Sequence, residues 1–231
     1  METAKQQLFE SNCVESWTQA AGKRGGDFII RHATPGMVTV VLADATGHGD
    51  KAAELTAYLQ PIIAREIGCG LSPELLRRWH KLVYRRFSEQ HRFVCITVLQ
   101  LNLVTQSLTI ANGGNPDLLI RRGLGRRVER YPSTGMPLGI VDESEWTPPE
   151  FQTTYLSSID YAFCCSDGVT DCISPDGERF GLGRVCNAVQ VAGTTSPLQA
   201  VRWGLLRFLS PLEDQDDLSI LVLRGLQRQV A

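Results

Sequence analysis

Short apolar runs, rather than long helical stripes, carry most of the pattern in this chain: 28–31, 37–43, 93–101, 107–111, 118–121, 161–165 and 218–223. Runs of this length, rich in Val, Ile, Leu and Phe and bounded by Gly, Asn, Asp or Pro, predict strands joined by turns in an antiparallel arrangement. The run 37–43 is apolar at nearly every position, which predicts a strand covered on both faces. Two helices are expected between the second and third strands. The first begins near Asp50 as N-cap, shows Ala53, Leu55, Leu59 and Ile62 at helical spacing, and should be kinked or shortened by Pro61. The next has Ser72 as cap and Pro73 as first helical residue, with Leu75, Leu76, Trp79, Leu82, Val83 and Phe87 as its buried stripe. Later helices are predicted over 182–191 and 197–209, the latter capped by Ser196. Together these elements define an α+β fold with a large antiparallel component.

A length of 231 residues at 43% hydrophobic content suffices for a full core, and no linker, repeat or low-complexity tract divides the chain. One domain over 1–231 is therefore expected. The formal net charge of −2 and a pI near 6.1 give no steering toward nucleic acid or an anionic membrane. The first residues lack the apolar core of a secretory signal, and no apolar run reaches membrane-spanning length, so a cytoplasmic protein without a membrane partner is expected. The seven cysteines include no C-x-x-C pair and are odd in number, which favours reduced, mostly buried thiols. Cys164 and Cys165, adjacent in a strand, should face opposite ways.

The chemistry is carried by aspartates at strand ends. The run 38–43 delivers Asp44 into the turn Ala45-Thr46-Gly47-His48-Gly49-Asp50, where the glycines allow close backbone approach to a ligand. Gly25-Gly26-Asp27, Ser166-Asp167-Gly168-Val169-Thr170-Asp171 and Asp216-Asp217-Leu218-Ser219 repeat the theme. Any one of these aspartates is most simply a turn former or helix cap. Gathered at one place they would repel each other unless cations neutralised them, and hard divalent ions such as Mg²⁺ or Mn²⁺ take such oxygen donors in preference to His or Cys.

Six segments occur in an order that resembles the SpoIIE-type branch of the metal-dependent type-2C protein serine/threonine phosphatases: Gly25-Gly26-Asp27-Phe28, Asp44-Ala45-Thr46-Gly47-His48-Gly49, Ala111-Asn112-Gly113-Gly114, Gly135-Met136-Pro137-Leu138-Gly139, Ser166-Asp167-Gly168 and Asp216-Asp217-Leu218-Ser219. The resemblance implies an α-β-β-α sandwich of two central antiparallel sheets flanked by helices. It implies that Asp44 bridges two Mn²⁺ or Mg²⁺ ions with help from the Ala45 carbonyl, and that Asp27, Asp167 and Asp216 complete the shell. Asp217 is left to cap or hold the turn. Two such ions, ~3.5–4 Å apart, activate water for in-line attack on a phosphoryl group. Asp171 stands where the family usually has Glu and leaves a third ion open; Asn115 stands where it often has His. His48 divides evenly between a proton donor to the leaving serine oxygen and a turn-stabilising residue.

By the same resemblance the substrate is phosphoserine or phosphothreonine on a bacterial regulatory protein, of the STAS-domain anti-sigma-factor antagonist or stressosome type. Because the catalytic pattern starts almost at once, the chain looks like a stand-alone phosphatase of the RsbX type, with its oligomeric state open. The alternative is a catalytically weak or inactive module of the same fold that binds a phosphoprotein. Arg77, Arg78, Lys81, Arg85 and Arg86 read as a solvated helix face. Arg121, Arg122, Arg126, Arg127 and Arg130 read as a solvated turn in preference to a docking patch.

Overall fold

The computed structural model describes residues 13–47, 49–123, 127–192, 196–209 and 216–225. Its strands are β1 (Val14–Gln19), β2 (Phe28–Thr34), β3 (Met37–Ala45), β4 (Val94–Asn102), β5 (Ser107–Gly113), β6 (Leu118–Arg122), β7 (Arg127–Tyr131), β8 (Gln152–Tyr155), β9 (Tyr161–Cys165) and β10 (Leu218–Arg224). The helices are α1 (Gly49–Glu66), α2 (Pro73–Phe87), α3 (Asp167–Asp171), α4 (Gly181–Val191) and α5 (Pro197–Phe208). One five-stranded sheet runs β1-β10-β9-β6-β7 and the other β2-β3-β4-β5-β8, with antiparallel pairing throughout.

Three apolar layers hold these elements together. Val38, Val40 and Leu42 of β3 join Leu99, Ile110, Leu118, Ile120, Cys164 and Leu221 between the sheets. The alternate residues Val41, Ala43 and Ala45 face α1 and α2, packing on Leu55, Leu59, Trp79 and Phe87. α3, α4 and α5 cover the β1-β10-β9-β6-β7 sheet through Val169, Val185, Val189, Val201 and Leu205. The nearly unbroken apolar run of β3 thus reflects burial on both faces, since alternation sends successive side chains to opposite layers. Cys164 lies between the sheets and its neighbour Cys165 on the helical side. All seven cysteines are free, four of them buried.

The helix caps follow the sequence reading. Ser72 Oγ accepts from Leu75 N–H at 3.2 Å with Pro73 behind it, and Ser196 Oγ accepts from Leu198 N–H at 3.2 Å. Pro61 does not shorten the helix: α1 runs on to Glu66. Pro61 and Ala57, whose carbonyl loses its helical donor, both lie exposed, so water can satisfy that oxygen while Ala52, Leu55, Leu59 and Ile63 keep the opposite face buried. Ala53 and Ile62 are only half-buried, and Asp50 lies in the first turn of α1 rather than at its cap.

β1, β7 and β8 lack a counterpart in the apolar pattern, and each is the edge strand of its sheet. Edge strands bury little and carry polar residues, so their hydrophobic signal is weak. β7 also corrects the reading of the arginine-rich segment as a solvated turn. Arg121 is buried, Arg122 pairs with Glu129 and Asp160, and Arg130 pairs with Asp117 at 2.7 Å. Arg126 lies outside the described residues. On α2, Arg77, Arg78, Arg85 and Arg86 are exposed as expected.

Candidate metal and phosphoryl site

β3 and β4 are paired from Met37↔Asn102 to Ala45↔Val94, which puts Asp44 at the end of the strand beside Cys95. The turn after it is tied back: Thr46 N–H donates to the Phe93 carbonyl at 3.0 Å, and Phe93 N–H donates to Thr46 Oγ1 at 2.8 Å. Asp27 enters β2 alongside, from a loop pressed on its surroundings. A Cβ at Gly26 would lie 2.7 Å from the Ala45 carbonyl oxygen and 2.8 Å from Ala52 Cβ, so only glycine allows this approach. The loop is clamped from the other sheet. Asp217 accepts from Ala21 N–H at 2.7 Å, from Gly26 N–H and from Asp27 N–H at 3.4 Å. Thr56 on α1 adds a bond to the Gly26 carbonyl at 2.6 Å.

The sheet containing β9 and β10 supplies the facing wall. β9 and β10 are laced at their ends by Ser166 N–H to the Ser219 carbonyl and Ser219 N–H to Ser166 Oγ, both 3.0 Å. This lacing sets Asp167 in the first turn of α3, next to Asp216 at the entry to β10. Asp27 is buried, Asp44 half-buried, and Asp167, Asp171 and Asp216 are exposed, so the set grades from interior to solvent.

Asp44 interacts with both Asp27 and Asp167, and burial together with these two carboxylates raises its pKa far above the usual range. Burial likewise raises Asp27, an effect that the nearby Ser219 and Ser166 hydroxyls oppose and the Asp217 charge reinforces. Both Asp27 oxygens are nonetheless buried without a hydrogen bond among the described residues. Asp167 is raised by its partial enclosure and by the Asp216 and Asp171 charges. Burial and the same carboxylates push the Cys95 thiol up to about 12. An acceptor-only group left without a hydrogen bond in the interior is costly, and an oxygen-rich set of this kind suits a hard divalent cation. Among the described residues no group of three or more His, Cys, Asp or Glu side chains is arranged to hold a metal ion. An ion such as Mg²⁺ needs only one or two carboxylates and keeps several waters, so an open set fits it.

Of the residues singled out in the sequence, Asp27, Asp44 and Asp167 are in electrostatic contact across the two sheets, with Ala45 adjoining and Asp216 next to Asp167. Asp217 is turned to the backbone, where it holds the Gly25–Gly26–Asp27 loop. Asp171 is engaged by Arg179 at 3.3 Å, both groups being solvent-exposed. His48 lies outside the described residues. Asn115 is buried in a network, donating to Thr97 Oγ1 at 2.9 Å. Ser166, Ser219 and Thr46 were legible only as companions of the acidic motifs, and nothing in the sequence marked Cys95. A cleft of roughly 630 Å³ adjoins the site, lined by Thr46, Gly47, Gly49, Asp50, Lys51, His91 and Arg92.

Two facing antiparallel sheets covered by helices give this chain the fold of PP2C domains. The SiaA-PP2C domain of Pseudomonas aeruginosa matches with a TM-score of 0.81 at 17% identity, over 94% of this chain and 89% of that one. RsbX, solved in complex with magnesium, matches with a TM-score of 0.65 at 14% identity over 92% of this chain and 96% of that one. The chain belongs to the Stage II sporulation protein E (SpoIIE) family, whose model matches residues 34–225. It is also 29% identical, over 171 residues, to the phosphoserine phosphatase RsbP of Bacillus subtilis (strain 168), a match covering 68% of this chain and 40% of RsbP. The chain thus spans less than half the length of that curated relative. Among the described residues no helix is long and apolar enough to cross a membrane.

Proposed function

We propose that this chain is a metal-dependent phosphoprotein phosphatase that hydrolyses phosphoserine or phosphothreonine on a regulatory protein of the STAS-domain or stressosome type. The observation that carries the reading is the buried, unpartnered Asp27 carboxylate set beside Asp44 of the neighbouring strand, with Asp167 brought up from the other sheet. Asp27, Asp44, the Ala45 carbonyl, Asp167 and Asp216 would hold two Mn²⁺ or Mg²⁺ ions, while Asp171, engaged by Arg179, is the residue for any third. When bound, such ions supply a water nucleophile at neutral pH and offset the charge of the phosphoryl group.

The protein's own share is positioning. The Asp217 clamp ties the Asp27 loop to the facing wall, the Ser166–Ser219 lacing holds that wall together, and phosphoryl transfer depends chiefly on such placement. The cleft beside the turn at Thr46 offers Lys51 and His91 to the segment around a phosphorylated residue. The family, the PP2C fold and the name of the RsbP relative support this assignment.

Phosphate release from a panel of phosphorylated STAS-domain proteins, measured with Mn²⁺ and with Mg²⁺, tests it. Wild-type protein should turn over at least one member, and Asp44→Asn should nearly abolish that activity. Stable capture of a phosphoprotein without divalent ion and without turnover would instead establish the binding-module alternative.

A further inference from the structure

The hairpin that follows α3 carries a cation to the outer wall of the acidic site. Asp167 and Asp171 are the first and last residues of α3, and a spacing of four puts them on one helix face, with Cβ atoms about 5–6 Å apart. The chain then doubles back. Phe180 N–H donates to the Cys172 carbonyl at 2.9 Å, Ser174 N–H donates to the Glu178 carbonyl at 2.8 Å, and Ile173 faces Arg179 in an antiparallel bridge. Later helices hold this hairpin from behind. Phe180 is buried against Phe208 of α5, and Arg184 of α4 donates to the Arg179 carbonyl at 2.7 Å, to the Phe180 carbonyl at 3.2 Å and to Glu178 at 2.6 Å. The backbone of Arg179 is therefore fixed while its side chain is loosely held. That side chain is 64% exposed and meets Asp171 through one nitrogen at 3.3 Å, a contact that water keeps weak. Arg179 is the side-chain cation that the structure sets against these acids.

We infer that Arg179 is a substrate-binding residue of this site, whose guanidinium leaves Asp171 to take two oxygens of the phosphoryl group as phosphoserine or phosphothreonine enters beside α3. The inference rests on the phosphatase reading. A guanidinium offers paired N–H donors in a planar fork that matches two phosphate oxygens, a geometry that the ammonium of lysine cannot copy. Its present contact uses one arm of that fork on an exposed carboxylate. Exchanging that carboxylate for a phosphate dianion gains a second charge-assisted hydrogen bond without moving the hairpin. Asp171 then acts as a positioning residue, keeping the fork one helical turn from Asp167 until substrate arrives.

The test uses the full chain with Mn²⁺ as wild type, Arg179→Ala, Arg179→Lys and Asp171→Asn. Calorimetric titration with inorganic phosphate is read beside steady-state hydrolysis of a phosphoserine peptide with neutral flanking residues. Arg179→Ala should weaken phosphate binding and raise KM, each at least about tenfold, the scale of one lost hydrogen bond to a charged group. It should lower kcat by a smaller factor and keep the Mn²⁺-dependent rise in melting temperature. Arg179→Lys should recover part of the phosphate affinity. Asp171→Asn frees the fork and should bind phosphate at least as tightly as the wild type, whereas a merely structural ion pair would make this variant and Arg179→Ala alike. Three results overturn the inference and leave the phosphatase reading intact: unchanged phosphate affinity in Arg179→Ala, equal losses in Arg179→Ala and Asp171→Asn, or a KM effect confined to peptides with acidic flanking residues. A wild type that neither binds phosphate nor hydrolyses the peptide overturns both.

Discussion

Adding a single methyl group at either of two glycines should move stability in opposite directions. Gly168 is the second residue of α3, between Asp167 and the start of β10, and a Cβ there would sit 2.2 Å from the Asp217 carbonyl oxygen and 3.3 Å from Asp216 Cβ. Non-bonded atoms normally rest about 3.5 Å or more apart, so α3 and the Asp216–Asp217 turn must separate by about 1 Å. Both are backbone, and neither can yield by rotating a side chain. Overpacking of this kind costs about 1–3 kcal/mol, against a helix-propensity gain of at most about 1 kcal/mol for alanine over glycine. A net loss of about 1–2 kcal/mol is expected, or roughly 2–8 °C in Tm at this chain length. Gly183, in α4, has open space around the same position and no positive φ. Gly183→Ala should therefore stabilise by about 0.5–1 kcal/mol. Thermal melts of both variants measure the stability effect, and phosphate release measures the functional one. Gly168→Ala displaces Asp167 and Asp216 by a distance that can cost about 100-fold in rate, whereas Gly183→Ala should leave the rate unchanged. Equal melting temperatures for the two variants, or full activity in Gly168→Ala, would refute the close contact between α3 and β10.

Three further outcomes follow from the site and the core. Without divalent ions, Asp44→Asn should melt at or above the wild-type temperature because it replaces an acid whose ionisation burial, Asp27 and Asp167 already oppose, yet it should lose the stabilisation that saturating Mn²⁺ confers, about 2.7 kcal/mol at 100-fold excess over Kd; an undiminished Mn²⁺ shift in the mutant would sink the assignment of this residue. Asp217→Ala should cost about 2–4 kcal/mol and weaken ion binding, since three N–H groups of the Ala21–Asp27 loop lose a charged acceptor; wild-type urea midpoints would show the clamp to be dispensable. His80, stacked 4.3 Å from Trp146 and accepting from Gly139 N–H at 2.9 Å, has its pKa lowered by burial to about 4. The unfolded chain protonates this ring near pH 6.5 and the native state does not, so its contribution is fully present above that pH and is lost as pH falls toward about 4. His80→Gln should flatten the wild-type rise in urea midpoint over that window, and identical slopes would exclude His80 as its source.

How much of the site was legible depends on which link of the chain carried it. Asp27, Asp44, Asp167 and Asp216 announce themselves by position, each at a strand end beside glycine, serine or a second acid. Local sequence cannot show that β3 and β9 deliver their acids to the same end of a sandwich, because that follows from the register of separate sheets. The division of labour between Asp216 and Asp217 was suggested by the resemblance. The three N–H bonds that Asp217 accepts from the 21–27 loop, some 190 residues earlier in the chain, give it a physical basis. Cys95 went unmarked because one cysteine inside an apolar strand looks like core until its cross-strand partner is known.

The amino-acid order by itself determined the central strands, the capped helices and the acidic turns, since each rests on local periodicity, on a cap a few residues away, or on glycine at a tight bend. Tertiary structure alone decided the polar edge strands β1, β7 and β8, the survival of α1 through Pro61, and the pairing of arginines that had read as a solvated turn. These features are stabilised by partners distant in sequence, through ladder hydrogen bonds, burial of an opposite helix face and ion pairs. Their free energy exists only once the two sheets have closed on each other.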